Sequence, residues 1–338
     1  MTFKLLFVRE MLLIPLSLSA RIALIVTAVW ALHGIVQAQP YPARPIRMIV
    51  PVPAGGGADF VARAYASRLG DALRQHVVVD NRGGAAGIIA MEATAKAAPD
   101  GHTIIQTNVS TISINPYLYG TLPYDAEKGF APISICTLNP LVLVIHPSLA
   151  ARTVPELIAI AKAKPATMTY ASLGSGSIQH LAGFMFSKAA GVSLVHVPYK
   201  GAAPATVDLL AGQVNTAFSG IGTVVSHVRS GRLRGLATTG SKRVESYADL
   251  PTMGESGGPA MQLELWNGFL APAGTPAAII KRLSDEINKI AKLSDLPQVL
   301  ATQGTTPTTN TPDEFARFIK AEQTKFQKIV KESGIRLD

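Results

Sequence analysis

The sequence predicts an α/β fold in two domains, the first assembled from both ends of the chain. Three observations predict it. Short β-type apolar runs alternate with amphipathic helical stretches in both halves. A small-residue loop separates strand from helix at matching places in each half. A late strand-like run, 263–271, precedes two more helices, as a return to the first domain requires. Of 338 residues, 48 % are hydrophobic and 16 % charged, which supplies a core and excludes a disordered chain.

Residues 1–38 read as a signal peptide. Lys4, Arg9 and Arg21 flank apolar runs at 11–20 and 22–32. Val36-Gln37-Ala38 before Gln39-Pro40 puts small residues at −3 and −1 of a cleavage after Ala38. The alternative is an uncleaved anchor, against which Arg21 interrupts the run. The rest is expected to be soluble and exported. The one cysteine, Cys136, lies in a strand-like run and excludes an internal disulfide or a cysteine-cluster metal site.

The first domain is expected over 39–138 and 265–338. A buried strand at 46–52 leads through Ala54-Gly55-Gly56-Gly57 to a helix opened by Asp59, with Val61, Tyr65 and Leu69 on one side. Strands follow at 77–79 and 103–106, around Asn81-Arg82-Gly83-Gly84-Ala85-Ala86-Gly87 and a helix at 88–97. The sheet should be mostly parallel. Apolar runs at 133–137 and 141–145, split by Asn139-Pro140, read as one crossing between domains.

The second domain is expected over 139–264. Thr153-Val154-Pro155-Glu156 is a capping box for a helix to about Ala163. A strand at 168–171 precedes a helix capped by Ser177 and ended by Gly191. Strands at 194–197, 215–218 and 234–237 alternate with helices at 204–211 and 221–230. Back in the first domain, Thr275-Pro276 should cap one helix and Thr311-Pro312-Asp313-Glu314 the last. Crossings near 138–141 and 262–268 would form a hinge.

Four constellations offer chemistry. Ala54, Gly55, Gly56, Gly57 and Ala58 bare their amides at a helix start, an anion site by amide and dipole, or else a tight turn. Asp59 would cap the helix and hold that loop. Ser172, Gly174, Ser175, Gly176 and Ser177 repeat the arrangement in the second domain, with His180 one turn on. Tyr199, in Val197-Pro198-Tyr199-Lys200-Gly201, could donate to a ligand or pack on it. Asn108 and Ser110 bring neutral donors to a strand end. Two small-residue loops facing one cleft would bridge a ligand with carboxylate groups.

Enzymatic readings fare poorly. Gly174-Ser175-Gly176 lacks the spacing of a serine nucleophile elbow, and the seven histidines show no zinc spacing. Aromatics are 6 % and the basic residues behind the net charge of +9 are dispersed, so a nucleic-acid partner lacks support.

Taken together, Val50-Pro51-Val52-Pro53-Ala54-Gly55-Gly56-Gly57-Ala58-Asp59, Val79-Asp80-Asn81-Arg82-Gly83-Gly84, the 171–180 segment, Val197-Pro198-Tyr199-Lys200-Gly201 and Trp266-Asn267-Gly268-Phe269 resemble the substrate-binding proteins of tripartite tricarboxylate transporters, the Bug family. The resemblance covers nearly the whole chain after residue 38. It implies a two-domain periplasmic binding protein, type II-like, closing on a small carboxylate in the interdomain cleft: a di- or tricarboxylate, an aromatic acid or an amino acid. It implies no catalysis, metal or cofactor, a monomer, and membrane permease subunits as partner. A sensor kinase is the alternative partner, and an exported hydrolase using Ser175 or Ser177 with His180 the remaining alternative. The family's carboxylate-binding amides would fall on Ala54–Ala58 and Ser172–Ser177. Ala54 stands where the family has a second proline, and Ala58 where a threonine is frequent.

Overall fold

Apolar β-type runs join here into two sheets that share one long strand. The computed structural model describes residues 41–337 apart from Gly56 and Gln303. The expected signal peptide with its cleavage site, and Gly56 of the first loop, therefore lie outside the described residues.

The chain opens with β1 (Ile46–Val50), α1 (Gly57–Leu73), β2 (Val77–Asn81), α2 (Ile88–Ala95) and β3 (Thr103–Asn108). β1 lies between β2 and β3, parallel to both, with Met48 opposite Val79 and Ile104. Met48, Ile49 and Val50 are all fully buried, which is why this strand reads as a continuous apolar run rather than an alternating one. A π-helical turn, Ser110–Ile114, and a short helix α3 (Asn115–Leu118) follow β3.

β4 (Phe130–Ile145) is a single strand of 16 residues where the sequence predicts two runs. Its first part pairs with β9 (Glu264–Pro272), ending at Pro140 opposite Glu264. From Leu141 onward it pairs with β7 (Thr216–Gly220), and from Val142 with β8 (Arg234–Thr238). Pro140, which has no N–H, sits where the partner strand changes, so the strand continues through it.

The first sheet has the order β2-β1-β3-β9-β4. The second continues through β4 to β7, β5 (Thr169–Ser172) and β6 (Val195–Pro198). The outer strands of each sheet are parallel, as expected. β9 and β4 run antiparallel to their neighbours, so the sheets are mixed. Thr239 ties the two passages between sheets: its N–H donates to Leu141 O at 2.8 Å, its Oγ1 accepts from Leu141 N at 2.9 Å, and Leu263 N–H donates to Thr239 O at 3.0 Å.

Helices α4 (Val154–Ala163), α5 (Ile178–Ala190), α6 (Ala202–Leu210) and α7 (Ile221–Arg229) flank the second sheet's strands in sequence. α8 (Ala277–Ala291), α9 (Leu296–Ala301), the short β10 (Thr306–Pro307) and α10 (Pro312–Ser333) complete the chain. Thr311 and Glu314 form the full capping box, whereas Glu156 returns its carboxylate to Arg152 N–H rather than to the capping Thr153. Thr275 does not cap α8. Its hydroxyl donates to Pro272 O at 2.8 Å, and Pro276, with extended backbone, stands at the cap position.

The core joins β9 to α10. Trp266 meets the rings of Phe315 and Phe318 edge-on at 5.7 and 5.5 Å, and its indole N–H donates to Glu322 at 3.1 Å. Gly268 lets Phe315 approach: a Cβ there would lie 2.4 Å from the Phe315 ring. Cys136 is fully buried, as expected of a small apolar residue.

Candidate functional site

β1, β3, β5 and β7 all deliver the chain, at their C-terminal ends, to one cleft of about 460 Å³. Ligands of open α/β sheets bind at such ends. One wall carries Gly57 and Ala58 from the start of α1, and Asn108 and Ser110 from the end of β3. The facing wall carries Ser177, Ile178 and Gln179 from the start of α5, and Gly220, Gly222 and Thr223 from the start of α7. Trp266 and Asn267 of β9 and Asn139 of β4 join them.

Three helix N-termini therefore face one space. The first-turn amides of a helix lack intrahelical partners and carry its positive dipole end. No lysine, arginine or histidine lines the cleft among the described residues, so the donors it offers are backbone amides and neutral side chains. Asn108 Oδ1 accepts from the amides of Ser110 and Thr111, at 3.0 and 3.2 Å, which shapes the π-helical turn. The same residue's amide nitrogen and the Ser110 hydroxyl make no hydrogen bond to a described residue and remain as donors. Asn139 supplies the opposite function: its Nδ2 donates to Thr305 Oγ1, and its buried Oδ1 has no partner among the described residues.

A second layer holds these groups in place. Asp59 is 3 % exposed and does not line the cleft. Its carboxylate accepts from Gly55 N–H at 2.9 Å, Asn81 Nδ2 at 2.8 Å and Arg63 Nε at 2.9 Å. Burial opposes its ionisation, but the hydrogen bonds from Arg63, Gly55 and Asn81 outweigh it and hold the carboxyl below its usual range. The negative charge is thus spent on fastening the loop. Asn267 is oriented by Gln106 Nε2 at 2.7 Å and by its own bond to Thr137 Oγ1 at 2.9 Å.

The Ser–Gly loop is built from within. Ser177 Oγ accepts from His180 N–H at 3.3 Å and donates to Gly174 O at 2.7 Å. Gly176, at φ +77°, lies where a Cβ would meet Leu118 at 2.6 Å, so only glycine allows that approach. Ser172 is buried, with its hydroxyl 2.6 Å from His196 Nε2. His180 Nδ1 accepts from Gly176 N–H at 3.1 Å, and its ring stacks on His196 at 3.6 Å.

Of the residues singled out from the sequence, Gly57, Ala58, Asn108, Ser110 and Ser177 come together along the cleft. Ala54, Gly55 and Ser175 are exposed and do not line it. Asp59, Ser172, Gly174, Gly176 and His180 stand off the lining and shape the loops. Tyr199 turns away, donating its hydroxyl to Asp208 at 2.8 Å, and burial with that carboxylate pushes the phenol up to about 12. Neither Ser175 nor Ser177 bonds to the His180 ring, whose Nδ1 accepts from the Gly176 amide. Sequence reasoning missed the α7 end, although Ser219-Gly220-Ile221-Gly222 repeats the strand, small residues, helix signal. Asn139 carried no local signal, and Gln179 and Asn267 lie in segments that carry the family resemblance without being marked as site residues.

Burial and the neighbouring His196 lower the His180 pKa to about 4. A neutral folded histidine contributes stability above its unfolded pKa of about 6.5, and loses it as pH falls toward 4. Urea unfolding between pH 7 and pH 4.5 should therefore show a loss on the order of 1 kcal/mol from this ring, reduced by its partial exposure. His180→Asn, which keeps an acceptor for Gly176, should flatten that stretch of the profile. An unchanged slope would show that the ring does not titrate abnormally.

The family model for the tripartite tricarboxylate transporter family receptor matches residues 61–335. BugT of Bordetella pertussis is 40 % identical over 303 residues, covering 89 % of this chain and 93 % of that protein. Among solved structures, R. palustris Rpa4515 with adipate has a TM-score of 0.78 at 32 % identity, covering 88 % of this chain and 99 % of that one. MatC of Rhodopseudomonas palustris with bound malate has a TM-score of 0.74 at 28 % identity, covering 86 % and 100 %.

Proposed function

The chain belongs to the tripartite tricarboxylate transporter receptor family of periplasmic solute-binding proteins, and we propose that it captures a small carboxylate in the cleft for delivery to membrane permease subunits. The observation that carries this reading is the convergence of the α1, α5 and α7 N-termini on a cleft without a basic side chain. A carboxylate spanning the two walls gains from both and so favours a closed form over an open one. The relatives with bound adipate and malate support the ligand class.

We assign the moving parts to 39–138 with 265–338 and to 139–264, hinged where β4 and β9 pass between the sheets. The signal peptide is cleaved after Ala38 in this reading, and the released chain acts as a monomer. Among the described residues, no helix is long and apolar enough to cross a membrane. Among the described residues the cleft-lining serines, Ser110 and Ser177, make no bond to a histidine ring, and the Ser172–His196 pair stands off the lining, so the reading is capture and release of an intact ligand.

Thermal unfolding against a panel of carboxylates tests it. A ligand at a hundred times its Kd should stabilise the fold by about 2.7 kcal/mol, a midpoint rise of several degrees, and be recovered intact. A rise with uncharged compounds alone would overturn the carboxylate reading. Ser177→Ala should cost about 1 kcal/mol of stability through the lost cap, and weaken the bound carboxylate about fivefold because the α5 amides lose their fixed aim. Titration calorimetry giving unchanged affinity would remove the Ser–Gly loop from the site.

A further inference from the structure

A second cavity, of about 150 Å³, lies beside the cleft and shares Leu173, Gln179, Gly220, Thr223 and Leu265 with it. Beyond that shared wall it is bounded by β5, β7 and α6 through Ala171, Ala205, Leu209, Ala217 and Phe218. Alanines make the room: Ala171, Ala205 and Ala217 are buried at positions where any larger aliphatic side chain would fill the space. A cavity of about this volume with apolar walls accepts a benzene ring.

Two features of the shared wall point to an occupant. Gln179 is 6 % exposed, lines both spaces, and its side-chain amide makes no hydrogen bond to a described residue. Neither amide atom is cut off from solvent, so the group stands open to the junction, where a polar atom of a ligand can meet it. Leu173 lines both spaces and is 38 % exposed, so its side chain is free to pack over a group that enters the cavity.

We propose that the ligand is a carboxylic acid bearing one phenyl-sized apolar group, its carboxylate at the helix ends and its ring in the alanine-lined cavity. Gln179 sits at the junction, where it meets the polar end of such a ligand, and Leu173 packs over the ring. A short hydroxy-dicarboxylate leaves this cavity empty. The inference rests on the carboxylate reading given above.

Calorimetric titration of the purified protein with 3-phenylpropanoate, its neutral amide, adipate and malate tests it, with Ala205→Leu and Ala202→Leu as cavity-filling variants. Ala202 lines the same cavity from the first turn of α6 and is less buried than Ala205, so it decides the matter if Ala205→Leu does not fold. The expected result is that 3-phenylpropanoate binds tightest, its amide fails, and filling the cavity weakens the aryl acid by about tenfold or more. Adipate or malate binding in preference to the aryl acid, or equal aryl-acid affinity in Ala202→Leu, overturns this inference and leaves the carboxylate reading standing. If the amide binds as well as the acid, or no carboxylate binds at all, the carboxylate reading falls and this inference with it.

Discussion

Asp59→Ala is expected to weaken carboxylate binding by about tenfold or more and to lower stability by about 2 kcal/mol. The carboxylate is the common acceptor for Gly55 N–H, Asn81 Nδ2 and Arg63 Nε. Its removal frees the segment that presents Gly57 and Ala58 to the cleft, although Asp59 itself does not line that cleft. The loss in affinity comes from backbone amides that no longer hold one geometry, so the entropy of ordering them is charged to binding. Titration calorimetry with the best carboxylate, beside urea unfolding, reads both effects. Equal affinity in wild type and variant would show that the first loop holds its shape without Asp59, or contributes nothing to the ligand.

Trp266→Ala should cost about 3–5 kcal/mol, the largest loss among these substitutions. Trp266 is 1 % exposed, packs edge-on against Phe315 and Phe318, and donates to the buried Glu322. Truncation leaves a large void between β9 and α10 and strips Glu322 of a donor, with Lys325 as its remaining ion-pair partner. It also opens the cleft that Trp266 lines. Urea unfolding should show a midpoint lower by the corresponding amount. Trp266→Phe, which keeps the ring packing and loses only the indole donor and some volume, should recover more than half of it. A loss below about 1 kcal/mol for alanine would mean that α10 collapses onto β9 and fills the void.

Much of this molecule could be read from local patterns because local physics sets it. β-Branched apolar residues made β1 and β3 readable, the small-residue loops that follow them marked β5 and β7, and Thr153, Ser177 and Thr311 marked helix starts through hydrogen bonds that span three residues. The loops at 54–59 and 172–177 stood out for the same reason: bare amides at a helix start are a property of neighbouring residues. The errors have a shared cause as well. Asn139-Pro140 was expected to split two runs within one crossing between domains, yet β4 continues through it because the strand changes partner there and loses no ladder bond to the proline. Thr275 looked like a cap because of its type, yet its hydroxyl is held by Pro272 O.

Strand and helix order, the cap at Ser177, the fastening role of Asp59 and the family motifs follow from interactions between residues close in the chain, and these were open to inspection before any fold was known. Which donors reach the cleft was settled by long-range packing. Ser172, His180 and Tyr199 carry the right chemistry, but Ser172 and His180 lie off the lining and the Tyr199 hydroxyl is drawn to Asp208. Asn139 carries no local motif, and Gln179, Trp266 and Asn267 lie in segments that carry the family resemblance without marking a ligand contact; all four reach the cleft because β4, β9 and α5 bring distant segments to one place. A hydrogen-bond donor is specified by residue type, whereas the direction in which it points is specified by every neighbour that competes for it.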